Sequence, residues 1–207
     1  MRDYDIYIFD FDGTLVNSYP SLIGVYKEAF AKVGQEVSKE EVAIYMHEAL
    51  TDTCKRRNMT VEETKKVIIA CEEILDYPEH LSKIFIYDDV VSTIEALAKK
   101  GKKIAIVSGN TSKHIHLTLQ RMGIDNYFSV VEGSKANRKP KPYPDVLWDT
   151  LKEIKASKEE KAVYIGDSLQ DPECAFNAGI DGILLERNKE YPDYKNTKIE
   201  SLSELLG

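Results

Sequence analysis

The sequence is poor in cysteine, in long apolar runs and in clustered basic charge, and each shortage removes a class of answer. Only three cysteines occur, Cys54, Cys71 and Cys174, and none stands in a CxxC spacing. They offer neither a disulfide framework nor a zinc ligand set, so they are expected to be small buried hydrophobes in a cytoplasmic, reducing setting. No stretch approaches the length of a membrane span. The opening Met1-Arg2-Asp3-Tyr4-Asp5 runs straight into a strand pattern and is read as leaving no room for a signal peptide. Internal repeats and low-complexity tracts are absent too. The 28 Lys and Arg are outnumbered by 35 Asp and Glu, for a net charge of −7, and they are scattered. That balance argues against nucleic acid or an anionic membrane as the main partner, and the tyrosines show no base-stacking spacing. An anionic ligand would need a local positive site.

What is present is a rhythm. Strand-like apolar runs lie at Tyr7 to Phe9, Lys103 to Val107, Tyr127 to Val131, Ala162 to Ile165 and Gly182 to Leu185. Helical patterns separate the later ones: Val90 to Lys100 before Gly101, Ser112 to Met122 before Gly123, and Pro172 to Ala178 before Gly179. Each glycine is placed to take a left-handed cap. Alternation of this kind reads as βαβ units in a parallel sheet covered on both faces, an α/β fold.

One gap breaks the rhythm. From Leu15 to Ile84 no strand is convincing, and the stretch is far too long for a loop. Its pattern is helical, at Leu22 to Val33, Lys39 to Leu50 and Val61 to Leu75, with Ser38 and Thr60 placed as N-caps before acidic first turns. The expected organisation is a core of residues 1–15 and 85–207 with a helical insertion at 16–84, a lid by its position. With 207 residues and ordinary globular composition, a core plus one insertion is a reasonable size. A monomer is the default.

Ligands of open parallel sheets bind beyond the carboxyl ends of the strands, so the residues following each apolar run matter most. After the first run come Asp10 and Asp12, two apart and so on one face of a strand. Their repulsion calls for a divalent cation or a shared proton, unless they merely mark a polar turn at Gly13. After the second run comes Ser108-Gly109-Asn110. After the third comes Arg138-Lys139-Pro140-Lys141-Pro142-Tyr143-Pro144-Asp145, and after the fourth Gly166-Asp167-Ser168-Leu169-Gln170-Asp171. An acid pair, a hydroxyl with glycine, a lysine and a second acid pair outline a metal and phosphate site.

With these four motifs in order, the chain resembles the haloacid dehalogenase superfamily, in particular its phosphoglycolate phosphatase-like small phosphatases with a helical cap. The resemblance implies a Rossmann-like sheet of strand order 5-4-1-2-3, with the strand of Asp10 beside that of Asp167, and a Mg²⁺-dependent phosphatase acting on a small phosphorylated metabolite. It implies Asp10 as nucleophile, forming an aspartyl phosphate, and Asp12 as general acid and base. Asp12 also favours phosphatases and mutases over the dehalogenases, which usually lack the second acid. Ser108 and Gly109 would bind the phosphoryl group. Lys141, whose Lys-Pro-Tyr-Pro-Asp setting fits better than that of Lys139, would balance its charge. Asp10, Asp167 and the Asp12 carbonyl would hold Mg²⁺, with Asp171 behind them. Gly109 stands where many relatives have Asn, which leaves Asn110 without an assigned role.

Local explanations compete at several positions. Asp171-Pro172-Glu173 makes a good N-cap with proline at the first helical position, and Asp88-Asp89 before Val90 reads as capping. Arg138 and Lys139 read as solvated rim charges. His114 and His116, two apart on a helix, point to different sides and make a poor metal pair. Asn17-Ser18 falls at the entry to the insertion. Two other functions remain. A sugar phosphomutase of this fold usually carries a His ten residues after the second Asp, where this chain has Leu22. A non-enzymatic phospho-acceptor module of the receiver type would lack the insertion.

Overall fold

The computed structural model describes residues 3–45 and 49–207. Residues 46–48 of the expected Lys39 to Leu50 helix, and Met1 and Arg2, lie outside the described residues. The chain divides after Val16 and again after Phe85. In order it forms β1 (Ile6–Phe9), β2 (Val16–Asn17), α1 (Tyr19–Ala31), α2 (Lys39–Tyr45), α3 (Leu50–Arg56), α4 (Val61–Leu75), α5 (Pro78–Leu81) and β3 (Phe85–Ile86). There follow α6 (Val90–Lys99), β4 (Lys103–Val107), α7 (Ser112–Met122), β5 (Val130–Glu132), α8 (Asp145–Glu153), β6 (Ala162–Gly166), α9 (Gln170–Ala178), β7 (Asp181–Leu185) and β8 (Lys198–Ile199).

The first unit, on either side of the insertion, is built on a parallel sheet of order β5-β4-β1-β6-β7-β8. The α/β class is as the motifs led one to expect, but the order is not 5-4-1-2-3 alone. A sixth strand, β8, extends the β7 edge, and its two residues are too short to carry a period. β1 is central: Ile8 lies in register with Ala105 of β4 and Tyr164 of β6. All four of its residues are buried, as a strand with helices on both faces requires. The two-residue period sorts its side chains. Ile6 and Ile8 join Ala105, Val107, Tyr164, Leu147 of α8 and Ala175 of α9 in one cluster. Tyr7 and Phe9 point the other way, with their rings 6.5 Å apart. Gly123 and Gly179 close α7 and α9 in the left-handed conformation, with φ of 74° and 80°.

The expected strand at Tyr127 to Val131 starts later. Asp125–Tyr127 is a turn of 3-10 helix, closed by the Tyr127 amide on the Ile124 carbonyl, and pairing begins at Val130.

The second unit, Asn17–Phe85, is helical. Ser38 and Thr60 both make reciprocal capping boxes, Ser38 with Glu41 and Thr60 with Glu63. α1 begins earlier than the apolar period indicated because Pro20 occupies its first turn. Val25, Ala29, Phe30, Val42, Val67 and Ile74 share a core, and the Arg57 guanidinium lies 5.3 Å from the centre of the Phe30 ring. That guanidinium also binds Glu41, Tyr45, Gln35 and the Glu36 carbonyl, fixing α2 to the end of α3. Both passages between the units run through the short paired strands β2 and β3. None of the helices among the described residues is long and apolar enough to cross a membrane.

Candidate active site

Asp10 follows the last residue of β1, and its amide continues the ladder onto the Ile165 carbonyl of β6 (2.8 Å). Beyond it the chain closes on itself: the amides of Leu15 and Val16 bond the Phe11 carbonyl, and the Gly13 amide bonds the Val16 carbonyl. Gly13 sits at φ +75°, and a Cβ there would stand 2.1 Å from Asp167 Oδ2. Only glycine therefore lets the loop lie against the Asp167 carboxylate. Thr14, buried completely, donates its hydroxyl to Asp167 Oδ1 at 3.1 Å.

Lys141 comes from the segment between β5 and α8. Its Nζ lies 2.6 Å from Asp171 Oδ1, 3.1 Å from Asp10 Oδ1 and 3.2 Å from the Tyr164 hydroxyl, which engages all three of its donors. Lys139, two residues earlier, instead lies over the Tyr143 ring, 4.6 Å from its centre. Carboxylate oxygens of Asp10, Asp167 and Asp171 all fall within 4.8 Å of one another. One ammonium cannot balance three carboxylates in so small a volume, and the titration directions follow. Burial drives the Asp10 carboxyl well above the usual range; Lys141 opposes this, while Asp171, Asp167 and Asp12 add repulsion. Burial and then Asp171 push Asp167 up to about 7, against Lys141 and the Thr14 hydroxyl. Burial works against the Lys141 ammonium, but Asp10 and Asp171 hold it charged. The excess negative charge is of the kind a proton or a divalent cation relieves.

Counting acceptors separates the three acids. Asp171 takes Lys141 and Tyr164 on Oδ1 and the Ser168 amide on Oδ2. Asp10 and Asp167 retain more unused lone pairs, so they fit a cation better as direct ligands. Asp171 is not the cap its Asp-Pro-Glu setting suggested. α9 starts at Gln170, which puts Asp171 inside the first turn, fully buried. Gly166 allows this approach, since a Cβ there would stand 2.2 Å from the Asp171 carboxylate.

Asp12 faces a different partner. Its Oδ2 accepts from the Asn110 side-chain amide at 2.5 Å, while Oδ1 is buried without a hydrogen-bond partner among the described residues. Ser108 is buried just after β4, its amide on the Glu132 carbonyl and its Oγ accepting the backbone amide of Asn110. Gly109 is exposed, with room for a side chain.

The structure adds residues that the sequence reading passed over. Asn110 reaches Asp12 although it stands one place beyond the expected Asn; its position just after β4 was the available signal. Tyr164 interrupts an aliphatic strand, and a buried tyrosine requires a partner for its hydroxyl. Here it bridges Asp171, Lys141 and the Val107 carbonyl. Two local readings give way to longer contacts. Arg138 is no rim charge: its side chain is buried in an ion pair with Glu132 (2.7 Å) and also meets Asp149. The Asp89 side chain makes no cap for α6 but binds Arg187 and the Leu202 amide. His114 is buried against the Phe11 ring and His116 pairs at the surface with Asp125. Asn17 accepts the Tyr19 amide as α1 begins.

A family model described as haloacid dehalogenase-like hydrolase matches residues 7–185. A phosphoglycolate phosphatase of Pasteurella multocida is 29% identical over 189 residues, covering 86% of this chain and 84% of the relative. Pyrophosphatase PpaX of Bacillus mycoides is 26% identical over 210 residues, covering 97% and 95%. Among solved structures, a HAD phosphatase from Thermococcus onnurineus superposes with a TM-score of 0.71 at 26% identity, covering 97% of this chain and 95% of that one.

Proposed function

The chain belongs to the haloacid dehalogenase-like hydrolase family, and from that premise we propose that it is a Mg²⁺-dependent phosphatase acting on a small phosphorylated metabolite through an aspartyl phosphate on Asp10. The observation that carries this reading is the lysine-centred acid cluster, with Lys141 Nζ 3.1 Å from the buried Asp10 and 2.6 Å from the buried Asp171. It supports the reading because the Asp10 carboxylate stands beside a positive charge of the kind an anionic substrate needs in a chain of net charge −7.

In the first step an Asp10 carboxylate oxygen attacks phosphorus, the new acyl phosphate bond forms, and the bond to the leaving oxygen breaks. Asp12 gives that oxygen its proton. In the second step Asp12 takes a proton from water as the water attacks phosphorus, and inorganic phosphate leaves Asp10. The Asn110 amide holds one Asp12 oxygen and leaves Oδ1 for the proton. The Ser108 Oγ accepts the backbone amide of Asn110, so its hydrogen is available to a phosphoryl oxygen, with the Gly109 amide next in the chain. Lys141 balances charge as it redistributes over the transferred group. The Asp10 and Asp167 carboxylates and the Asp12 carbonyl would hold Mg²⁺, with Asp171 fixing Lys141 behind them. When bound, the cation neutralises the acid cluster and the phosphoryl oxygens.

We assign the helical unit the role of cap and substrate selector. The buried free thiols Cys54, Cys71 and Cys174 support a reducing, cytoplasmic setting. The names of the relatives put phosphoglycolate and pyrophosphate first among compounds to try. The test is phosphate release from p-nitrophenyl phosphate and a metabolite panel, with Mg²⁺ and with chelator. The reading expects turnover that needs Mg²⁺ and disappears in Asp10→Asn; turnover surviving either loss overturns it.

A further inference from the structure

Arg187 follows β7, and no catalytic role above uses it. Its guanidinium grips Asp89 with two parallel bonds, Nη1 to Oδ2 at 3.0 Å and Nη2 to Oδ1 at 2.9 Å. The same Nη2 donates to the Thr14 carbonyl at 2.9 Å, and the group lies 4.1 Å from the centre of the Tyr87 ring. The Asp89 Oδ2 that meets Nη1 also accepts the Ser201 hydroxyl and the Leu202 amide, at 2.7 and 2.8 Å. The fork, the stacked ring and the carbonyl bond together need a planar guanidinium.

What the clamp holds gives it meaning. Thr14 is the residue whose hydroxyl reaches Asp167, and it stands two residues before the first passage between the units, after Val16. Tyr87 and Asp89 stand just beyond the second passage, after Phe85, and the Tyr87 amide bonds the Leu15 carbonyl at 3.2 Å. Arg187 thus ties the core-side ends of both passages to one point. That point is one side chain away from an acid of the cluster.

We propose that Arg187 is a positioning residue of the site: through the Thr14 carbonyl it holds the Thr14 hydroxyl on Asp167, and so fixes that carboxylate for a divalent cation. The inference rests on the phosphatase reading only for its effect on turnover. Its effect on cation binding can be measured in the absence of any substrate.

The experiment is Mg²⁺ titration by calorimetry of substrate-free wild type, Arg187→Lys, Thr14→Val and the double variant, with p-nitrophenyl phosphate kinetics and thermal unfolding alongside. Lysine keeps the charge but cannot make the fork and the carbonyl bond together. Arg187→Lys and Thr14→Val are each expected to weaken Mg²⁺ binding roughly tenfold and to lower kcat with KM little changed. The double variant is expected to be no worse than the poorer single one, because both act through the same carboxylate. A purely structural role would lower the unfolding midpoint and leave Mg²⁺ affinity alone, and that result overturns the proposal. So does a double variant whose losses multiply. If Arg187→Lys does not fold, Asp89→Asn loosens the same clamp, and unchanged affinity in that folded variant overturns it equally. Wild type that binds Mg²⁺ but hydrolyses no phosphate compound would sink the phosphatase reading while leaving the clamp to be judged on affinity.

Discussion

Two lysines two residues apart show how the site is decided at single residues. Lys139 and Lys141 carry the same charge in nearly the same Lys-Pro setting, yet one lies on the exposed Tyr143 ring and the other is half-buried against Asp10, Asp171 and Tyr164. Replacing Lys141 by Ala is expected to lower kcat by about 10²-fold or more, the range for losing one preorganised charge donor. Lys139→Ala should leave turnover close to that of the parent. Steady-state kinetics on p-nitrophenyl phosphate decide the matter, and similar losses at both positions would contradict the assignment. The sequence motif pointed to Lys141, and the Asp10 and Asp12 pair was visible as an acid pair ending a strand. The partners of Asp171 and Asp89 were not legible. Asp171 bonds Lys141, 30 positions away, and Asp89 bonds Arg187, 98 positions away. Their immediate neighbours look like those of helix caps, and tertiary contacts override that local signal.

Among the elements, the segment from β5 to α8 brings Lys141 to the sheet, and its start is pinned electrostatically. The buried Glu132 carboxylate binds Arg138 at 2.7 Å and Lys135 at 2.8 Å, and Arg138 also bonds the Gly133 carbonyl. Burial alone would raise the Glu132 carboxyl, but the Lys135 and Arg138 contacts outweigh it and hold it below the usual carboxylate range. A carboxyl depressed on folding adds stability above its unfolded pKa and loses that contribution as pH falls through the folded value. Glu132→Gln is therefore expected to cost roughly 3 kcal/mol near pH 7, the scale for breaking a buried pair. The difference from the parent should shrink as pH falls below about 4. Urea unfolding at several pH values checks this; a gap constant with pH would show that the ion pair is not its source. The long strands and helices were readable from their periods and their terminal glycines. β2, β3 and β8 were not, because two residues have no period, and only pairing partners distant in the chain define them.

At the scale of the molecule, two units with separate cores share one chain. The helical unit depends on Phe30, which is fully buried, with ring centres of Tyr26 and Tyr45 6.3 and 6.2 Å away. Phe30→Ala should destabilise that unit by about 3–5 kcal/mol. Hydrogen exchange is expected to show lost protection in residues 17–85 and retained protection in β1, β4 and β6. Uniform loss across both units would mean that they unfold as one. The gap in the strand rhythm led to an expected insertion at 16–84, and the chain divides after Val16 and after Phe85, where β2 and β3 carry it across.

The central claim is that Asp10 becomes phosphorylated during turnover. The most direct measurement is to quench the enzyme in Mg²⁺ and p-nitrophenyl phosphate at steady state, reduce with borohydride and map the peptides by mass spectrometry. An acyl phosphate at position 10 is reduced to homoserine, so the account expects that mass change in the peptide carrying Asp10 and in no other, and its absence from Asp10→Asn. Full turnover with Asp10 recovered unmodified, or the label on another carboxylate, would contradict it.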